Sequence, residues 1–228
     1  VAKREVEVIV FIPIKAESQR VSHKNFRSFN GVSLWQHTVD KYVEQDVPIY
    51  IDTDSPEIIA IVRKTYEQNV VHAYQRKKEL MGHTTSVNRL IEDMFARGFG
   101  MGETVAQIHV TNPFLQAETV QRAATTLYTV DSVVSCDRIQ ARAWLPMKRG
   151  HYYKPINHKP IELQQTQDLN PIIIENSCFY IFTFNSFCEN NKNRVGTNPF
   201  FYHVEWPENL DIDTEADWDM CRKLSEVL

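Results

Sequence analysis

Lys15, Ser18, Gln19, Arg20, His23, Lys24 and Asn25 crowd the end of one stretch, F-I-P-I-K-A-E-S-Q-R-V-S-H-K-N, running from Phe11 to Asn25. Cationic ends, a hydroxyl and amides at this density call for an anionic partner. Directly upstream lies the apolar run Val6-Glu7-Val8-Ile9-Val10-Phe11-Ile12. A buried strand that empties into a cationic, hydroxyl-bearing loop suits phosphate held at the carboxyl edge of a parallel sheet. Charge alone would equally describe a solvated basic loop. Density and position favour a nucleoside triphosphate, with Lys15, Arg20 and Lys24 neutralising charge and Ser18 and backbone N–H groups adding hydrogen bonds.

The second chemical cluster is acidic. Asp211 and Asp213 stand at i and i+2 in Asp211-Ile212-Asp213-Thr214-Glu215. On an extended segment that spacing turns both carboxylates to one side. Two carboxylates completed by water and phosphate oxygens suit Mg²⁺. The competing reading is a turn in which one of them caps the last helix, although Thr214 can do that too. Asp52 and Asp54 read as a helix cap or as base contacts, and Thr85 and Ser86 precede a helix that either could cap.

Alternating strand-like and helix-like segments must position these residues, which argues for a layered α/β fold. Asn30-Gly31 reads as a turn. Ser33 caps a helix through about Glu44, and Ser55 with Pro56 opens another after the short strand Ile49-Tyr50-Ile51. Val70 to Tyr74, Thr104 to His109, Ser132 to Cys136, Asn176 to Phe182 and Phe201 to Trp206 read as strands. Val87 to Arg97, Ala117 to Tyr128 and Glu215 to Val227 read as helices. Ile139 to Pro171 breaks this rhythm; it is rich in Arg, Lys, His, Pro and Gln and reads as an insertion that is functional or packs on a partner.

The motifs resemble those of the cytidylyltransferases that activate acidic sugars, and most of all the N-acylneuraminate (CMP-sialic acid) cytidylyltransferases. Ile12 to Asn25 is similar to that family's I-P-x-K-x-x-S-x-R-x-x-x-K-N loop. Asp52-Thr53-Asp54 resembles its S-T-D-D turn, and Arg76 with Glu79-Leu80 and Thr84-Thr85-Ser86 its R-P-x-E-L-A-x-D-T-x-S segment. Thr111-Asn112-Pro113-Phe114, Asp131-Ser132-Val133-Val134-Ser135, Glu175-Asn176-Ser177 to Tyr180 and Asp211 to Glu215 follow in the family's order. The chain departs from the family at Gln19, where Lys is usual, at Arg20 and Ser22, where Gly and Pro are usual, at His109, usually Gln, and at Thr166, often Arg.

The resemblance implies a three-layer, Rossmann-like nucleotidyltransferase fold with a mostly parallel sheet, one domain spanning residues 1–228. It implies transfer of CMP from CTP to the anomeric hydroxyl of a 2-keto-3-deoxy nonulosonic acid, with release of pyrophosphate. An eight-carbon ketodeoxy acid, or a nucleotide-binding relative without turnover, are the alternatives. The implied CTP site is Lys15, Ser18, Gln19, Arg20, Lys24, Asn25, Arg76 and Ser86; the implied catalytic set is Lys24, Arg20, Asp211 and Asp213, the last two holding Mg²⁺. His109, Asn176, Tyr180, Phe200 and Phe201 are expected at the sugar, with core packing the alternative for the two phenylalanines. The insertion, about 139–171, is expected to dimerise the chain and close over the sugar site.

Composition sets the outer limits. The chain has 228 residues, 43% hydrophobic and 24% charged, an ordinary globular balance. A net charge of −4 argues against a general nucleic-acid binder. Cys136, Cys178, Cys188 and Cys221 show no zinc spacing, which fits a reducing cytoplasm better than a disulfide framework. No apolar run approaches a signal peptide or the length of a membrane span.

Overall fold

A computed structural model describes residues 7–18, 20–82, 84–147 and 152–228. Its first strand, β1 (Val8–Ile14), has side chains buried on both faces. Val8, Val10, Ile12 and Ile14 enter one core cluster and Ile9 and Phe11 another. This two-residue alternation, apolar in both directions, defines a central strand between two helical layers.

The elements follow as β2 (Ser28–Phe29), β3 (Val32–Ser33), α1 (Leu34–Val43), β4 (Ile49–Thr53), α2 (Pro56–Thr65), β5 (Val71–Gln75), α3 (Val87–Ala96) and β6 (Thr104–Ile108). The second half comprises α4 (Ala117–Ala124), β7 (Ser132–Ile139), β8 (Trp144–Pro146), β9 (Tyr153–Pro155), β10 (Ile172–Thr183), α5 (Phe184–Glu189), β11 (Pro199–His203) and α6 (Glu215–Ser225). Seven strands form one sheet in the order β11-β7-β10-β6-β1-β4-β5. Only β10 runs against its neighbours, β6 and β7, so the sheet is mostly parallel, as the motifs imply.

Connections place β4 and β5 on one side of β1 and β6 on the other. The reversal leaves a crevice beyond the carboxyl ends of β1 and β6, the switch point at which open α/β sheets bind ligands. A third cluster, Phe29, Leu34, Phe114, Ile212, Trp218 and Cys221, docks α6 beside that crevice. Asn30 and Gly31 adopt φ of 52° and 88° between β2 and β3, the left-handed pair that closes a two-residue hairpin.

The 139–171 stretch carries more regular structure than its composition predicts. Trp144 to Pro146 pairs with Tyr153 to Pro155 as a separate two-stranded hairpin. Asn157 ties it back, donating to the Ala141 and Asn170 carbonyls at 2.8 Å each. Strands of three residues carry too little alternation to be read from sequence. Helix α5 also escaped the sequence pattern; it is one and a half turns long, and Thr183 caps it by accepting from Ser186 N at 3.2 Å. Among the described residues no helix is long and apolar enough to cross a membrane.

Candidate active site

The loop after β1 is held open from below. Ala16 N donates to Asp54 at 2.6 Å and Asn25 Nδ2 to the Lys15 carbonyl at 2.8 Å, while Lys15 Nζ reaches the Gly82 carbonyl at 3.0 Å. Asp54 therefore braces the phosphate-type loop, and Ser55 caps α2, its side chain accepting from Ile58 N. With the residues after β5 and β6, this loop walls a cleft of about 400 Å³. Lys15, Ser18, Arg20, Lys24, Asn25, Arg76 and His109 all line it. Strand ends thus assemble side chains from residues 15 to 109 in one depression.

Arg76 and Asp52 form the floor. Both are essentially inaccessible, at 1% and 0% exposure, and Arg76 Nε pairs with Asp52 Oδ1. Arg76 Nη2 also donates to the Ile14 and Asp52 carbonyls at 3.3 and 3.1 Å. Burial pushes the Asp52 carboxyl up, against the opposing pull of the Arg76 guanidinium. Arg76 Nη1 and Asn25 Oδ1 are buried without partners among the described residues. One is a donor and the other an acceptor, and both side chains line the cleft. Buried polar groups normally have partners, so these two are the groups a ligand would satisfy.

Beside the cleft, against Lys24, Arg20 and Thr111, lies the acidic segment. Its backbone is pinned to the loop after β6, with Ile212 N donating to the Thr111 carbonyl at 2.9 Å and Asn112 Nδ2 to the Leu210 carbonyl at 3.1 Å. Lys24 is buried and donates to the Ile212 carbonyl; its Nζ stands 4.0 Å from Asp213 Oδ1. Burial lowers the Lys24 pKa, opposed by Asp211 and Asp213. Arg20 Nη1 pairs with Asp213 Oδ2 at 2.7 Å. Burial pushes the Asp211 carboxyl up and the Asp213 charge adds to that, against a hydrogen bond with Thr111.

Neither aspartate caps the last helix. Thr214 does: its side chain accepts from Asp217 N at 3.2 Å, and the Asp217 carboxylate accepts from Thr214 N at 2.7 Å, completing a capping box. Asp211 Oδ1 is buried without a partner among the described residues. The carboxylate pair, with one orphaned oxygen, fits a divalent cation. Among the described residues no cluster of three His, Cys, Asp or Glu side chains accompanies it, so such an ion would draw its other ligands from water and phosphate, the usual Mg²⁺ pattern.

The remaining expected residues lie elsewhere. Gln19 lies outside the described residues. Ser86 is the exposed N-cap residue of α3, without a side-chain cap bond, and it is Thr85 and Val87 that line the cleft. Asn176 is committed to a bulge in β10: its amide donates to Asp137 at 3.0 Å and its Oδ1 accepts from Cys178 N at 3.3 Å. Tyr180 is buried beneath Arg194, whose guanidinium lies 3.6 Å from the ring centroid. Phe200 and Phe201 lie on the edge strand β11, 43% and 40% exposed. Two strands separate β11 from β6, roughly 14 Å at the usual strand spacing. Asn176, Tyr180, Phe200 and Phe201 therefore do not line the cleft with His109. Sequence reasoning passed over Gln107 and Arg194, which stand behind His109; they are far apart in the chain and belong to no motif.

The fold and this strand-end cleft define a nucleotidyltransferase. Residues 9–167 match the family model described as Cytidylyltransferase, and the chain belongs to that family. A CMP-N,N'-diacetyllegionaminic acid synthase of Legionella pneumophila is 28% identical over 97% of each chain. An N-acylneuraminate cytidylyltransferase of Oncorhynchus mykiss is 24% identical over 97% of this chain, which spans 50% of that relative. A solved CMP:2-keto-3-deoxy-manno-octonic acid synthetase complexed with CTP shares the fold at 15% identity, with a TM-score of 0.67, covering 97% of this chain and 100% of that one. A 4-diphosphocytidyl-2C-methyl-D-erythritol synthase does so at 10% identity with the same TM-score, covering 96% and 99%.

Proposed function

We propose that this protein transfers CMP from CTP to the anomeric hydroxyl of a nonulosonic, sialic-like acid and releases pyrophosphate. The observation that carries the reading is a cationic strand-end loop lining the cleft, with Arg20 and Lys24 of that loop reaching Asp213 of the two-carboxylate segment beside it. The full-length likeness to a CMP-nonulosonate synthase supports the sugar class. Arg76 Nη1 and Asn25 Oδ1 offer one donor and one acceptor, which suits the carbonyl and exocyclic amine of cytosine. Lys15, Arg20 and Lys24 hold the triphosphate, with Ser18 and Gln19 from the same loop; Ser86 belongs beside Thr85 at its rim. On nucleotide binding Arg20 exchanges Asp213 for phosphate and frees that carboxylate. Asp211 and Asp213 would hold Mg²⁺, which when bound neutralises the phosphates and makes the α-phosphorus more electrophilic. The sugar oxygen then forms the new P–O bond in line with the departing pyrophosphate.

His109 reads the sugar from the cleft wall. Phe200 and Phe201, exposed on the edge strand, reach a sugar only in an assembly, and the exposed apolar arm supports a homodimer in which residues 139–171 of one protomer close over the other's site. Four free thiols fit a reducing, cytoplasmic setting. The test is pyrophosphate release with CTP, UTP, ATP and GTP against a panel of acidic sugars. Turnover is expected with CTP and a nine-carbon acid. Equal rates with a purine triphosphate overturn the nucleotide assignment. A preference for an eight-carbon acid moves the enzyme to the second reading, which the likeness to the octonic acid synthetase fold supports. No pyrophosphate with any sugar marks a binding protein.

A further inference from the structure

Behind the cleft wall a chain of polar groups, with the buried Gln107 at its centre, ends on His109. Arg194, from the loop between α5 and β11, donates from Nη1 to Gln107 Oε1. Gln107 is fully buried, and its Nε2 faces both the Ile108 carbonyl at 3.1 Å and His109 Nε2 at 3.0 Å. A guanidinium can only donate and a carbonyl can only accept. The Gln107 oxygen must therefore face Arg194, and its amide must spend one hydrogen on Ile108 and the other on His109. His109 Nε2 is left as an acceptor. The ring proton sits on Nδ1, because the hydrogen bond at one imidazole nitrogen fixes the other. Among the described residues nothing accepts from Nδ1, and the ring lines the cleft.

Arg194 is itself firmly placed. It lies over the Tyr180 ring, its backbone N–H donates to Asn88 Oδ1 at 3.4 Å, and the following residues Thr197 and Asn198 donate backbone N–H groups to Asp131 at 2.8 Å each. Gly196 makes that turn possible, with φ of 72° and room for no Cβ beside Asp131. Burial, then the charges of Arg194 and Lys24, push the His109 pKa down to about 4, which keeps the ring neutral at working pH.

We infer that Arg194 and Gln107 are positioning residues that lock His109 as the Nδ1–H tautomer, presenting the acidic sugar with one uncharged hydrogen-bond donor. Such a donor selects an acceptor oxygen, a hydroxyl or the acyl carbonyl, at the point it faces. The sugar half of this inference rests on the CMP-transfer reading; the tautomer half does not.

The test is ¹⁵N–¹H correlation spectroscopy of the histidine-labelled full chain at neutral pH, with the His109 signal assigned by its loss in His109→Gln. The wild type is expected to show protonated Nδ1 and bare Nε2. Gln107→Glu replaces the amide donor with an acceptor and should move a proton onto Nε2. Arg194→Met removes the guanidinium that holds the Gln107 oxygen, leaves only the Ile108 carbonyl to orient the amide, and should give a mixed tautomer signal. In both variants the KM for the acidic sugar should rise about tenfold, the loss of one well-placed hydrogen bond, with kcat and the KM for CTP within about twofold. A wild-type Nε2–H tautomer overturns the inference, as does an unaltered tautomer in Gln107→Glu. The expected tautomers with an unchanged sugar KM overturn the positioning role. The expected tautomers with no turnover of any acidic sugar by the wild type leave the lock standing and remove the transfer reading instead.

Discussion

The cleft and the 139–171 arm are opposites. In and beside the cleft, charged and amide groups are buried with too few partners: Arg76 Nη1 and Asn25 Oδ1 within it and Asp211 Oδ1 next to it all lack one among the described residues. On the arm, apolar groups of the described residues are exposed. Trp144, Leu145, Tyr153 and Ile156 stand out from the hairpin and its flank, and Ile161 and Leu163 are 94% and 97% exposed. Each region carries an unmet physical demand. Buried polar atoms call for a small ligand that returns their hydrogen bonds, whereas a large exposed apolar patch calls for another protein surface. The two demands make the proposed nucleotide site and the proposed assembly surface separable on one chain.

Breaking the cleft floor should have the largest effect. Arg76→Met leaves the Asp52 carboxylate buried and unpaired, and stability should fall by about 3–5 kcal/mol in urea unfolding. A loss below about 1 kcal/mol would mean that the pair does not hold the floor.

Next comes the acidic segment, where chemistry and folding should separate. Asp213→Asn is expected to lower turnover by about 10²–10³, to raise the Mg²⁺ requirement and to leave the melting temperature near normal, because the helix is capped by its neighbour. Thr214→Ala should do the reverse, costing about 0.5–2 kcal/mol of stability with turnover per folded molecule preserved. Full activity of Asp211→Asn and Asp213→Asn at limiting Mg²⁺ would end the metal assignment.

The arm is probed by light scattering. The wild type should weigh twice the 26.6 kDa chain at micromolar concentration, and Leu145→Glu together with Ile161→Glu should return it to one chain while CTP binding persists. A single-chain mass for the wild type would remove the demand attributed to this surface.

The last effect is one of pH. The His109 pKa falls from its ordinary 6.5 to about 4 in the folded chain. Between those values the unfolded chain binds more protons than the folded one, so stability increases with pH across the window and is lost as pH falls from 6.5 toward 4. Relative to His109→Gln, the wild-type melting temperature should drop on acidification through that range. A constant difference would show that the ring is wetter than its packing indicates.

Much of this was legible in the sequence because it is local. The strand Val8–Ile14, its cationic loop, the Ser55 cap and the Thr111 to Phe114 turn each follow from residues close in the chain, and the order of the motifs carried the family. The layered α/β fold followed from alternation of short apolar runs with amphipathic ones, and the mostly parallel sheet from the family resemblance. Local pattern also left questions undecided that partners elsewhere in the chain resolved. The spacing of Asp211 and Asp213 allowed either capping or metal binding; the Thr214–Asp217 box settled the cap, and Asp213 pairs with Arg20 instead. Arg76 was one surface-type arginine among many until β4 and β5 brought Asp52 against it. Phe200 and Phe201 belonged with the sugar residues by resemblance, yet strand order put β10 and β7 between them and β6. Gln107 and Arg194 carried no signal at all, for they lie 87 positions apart and meet only where β6 passes the loop before β11. Composition and periodicity act through neighbours along the chain and so fix elements and their ends. Burial, pairing and tautomer depend on neighbours in space, which here the crossing of β1 and the reversed strand β10 alone brought together.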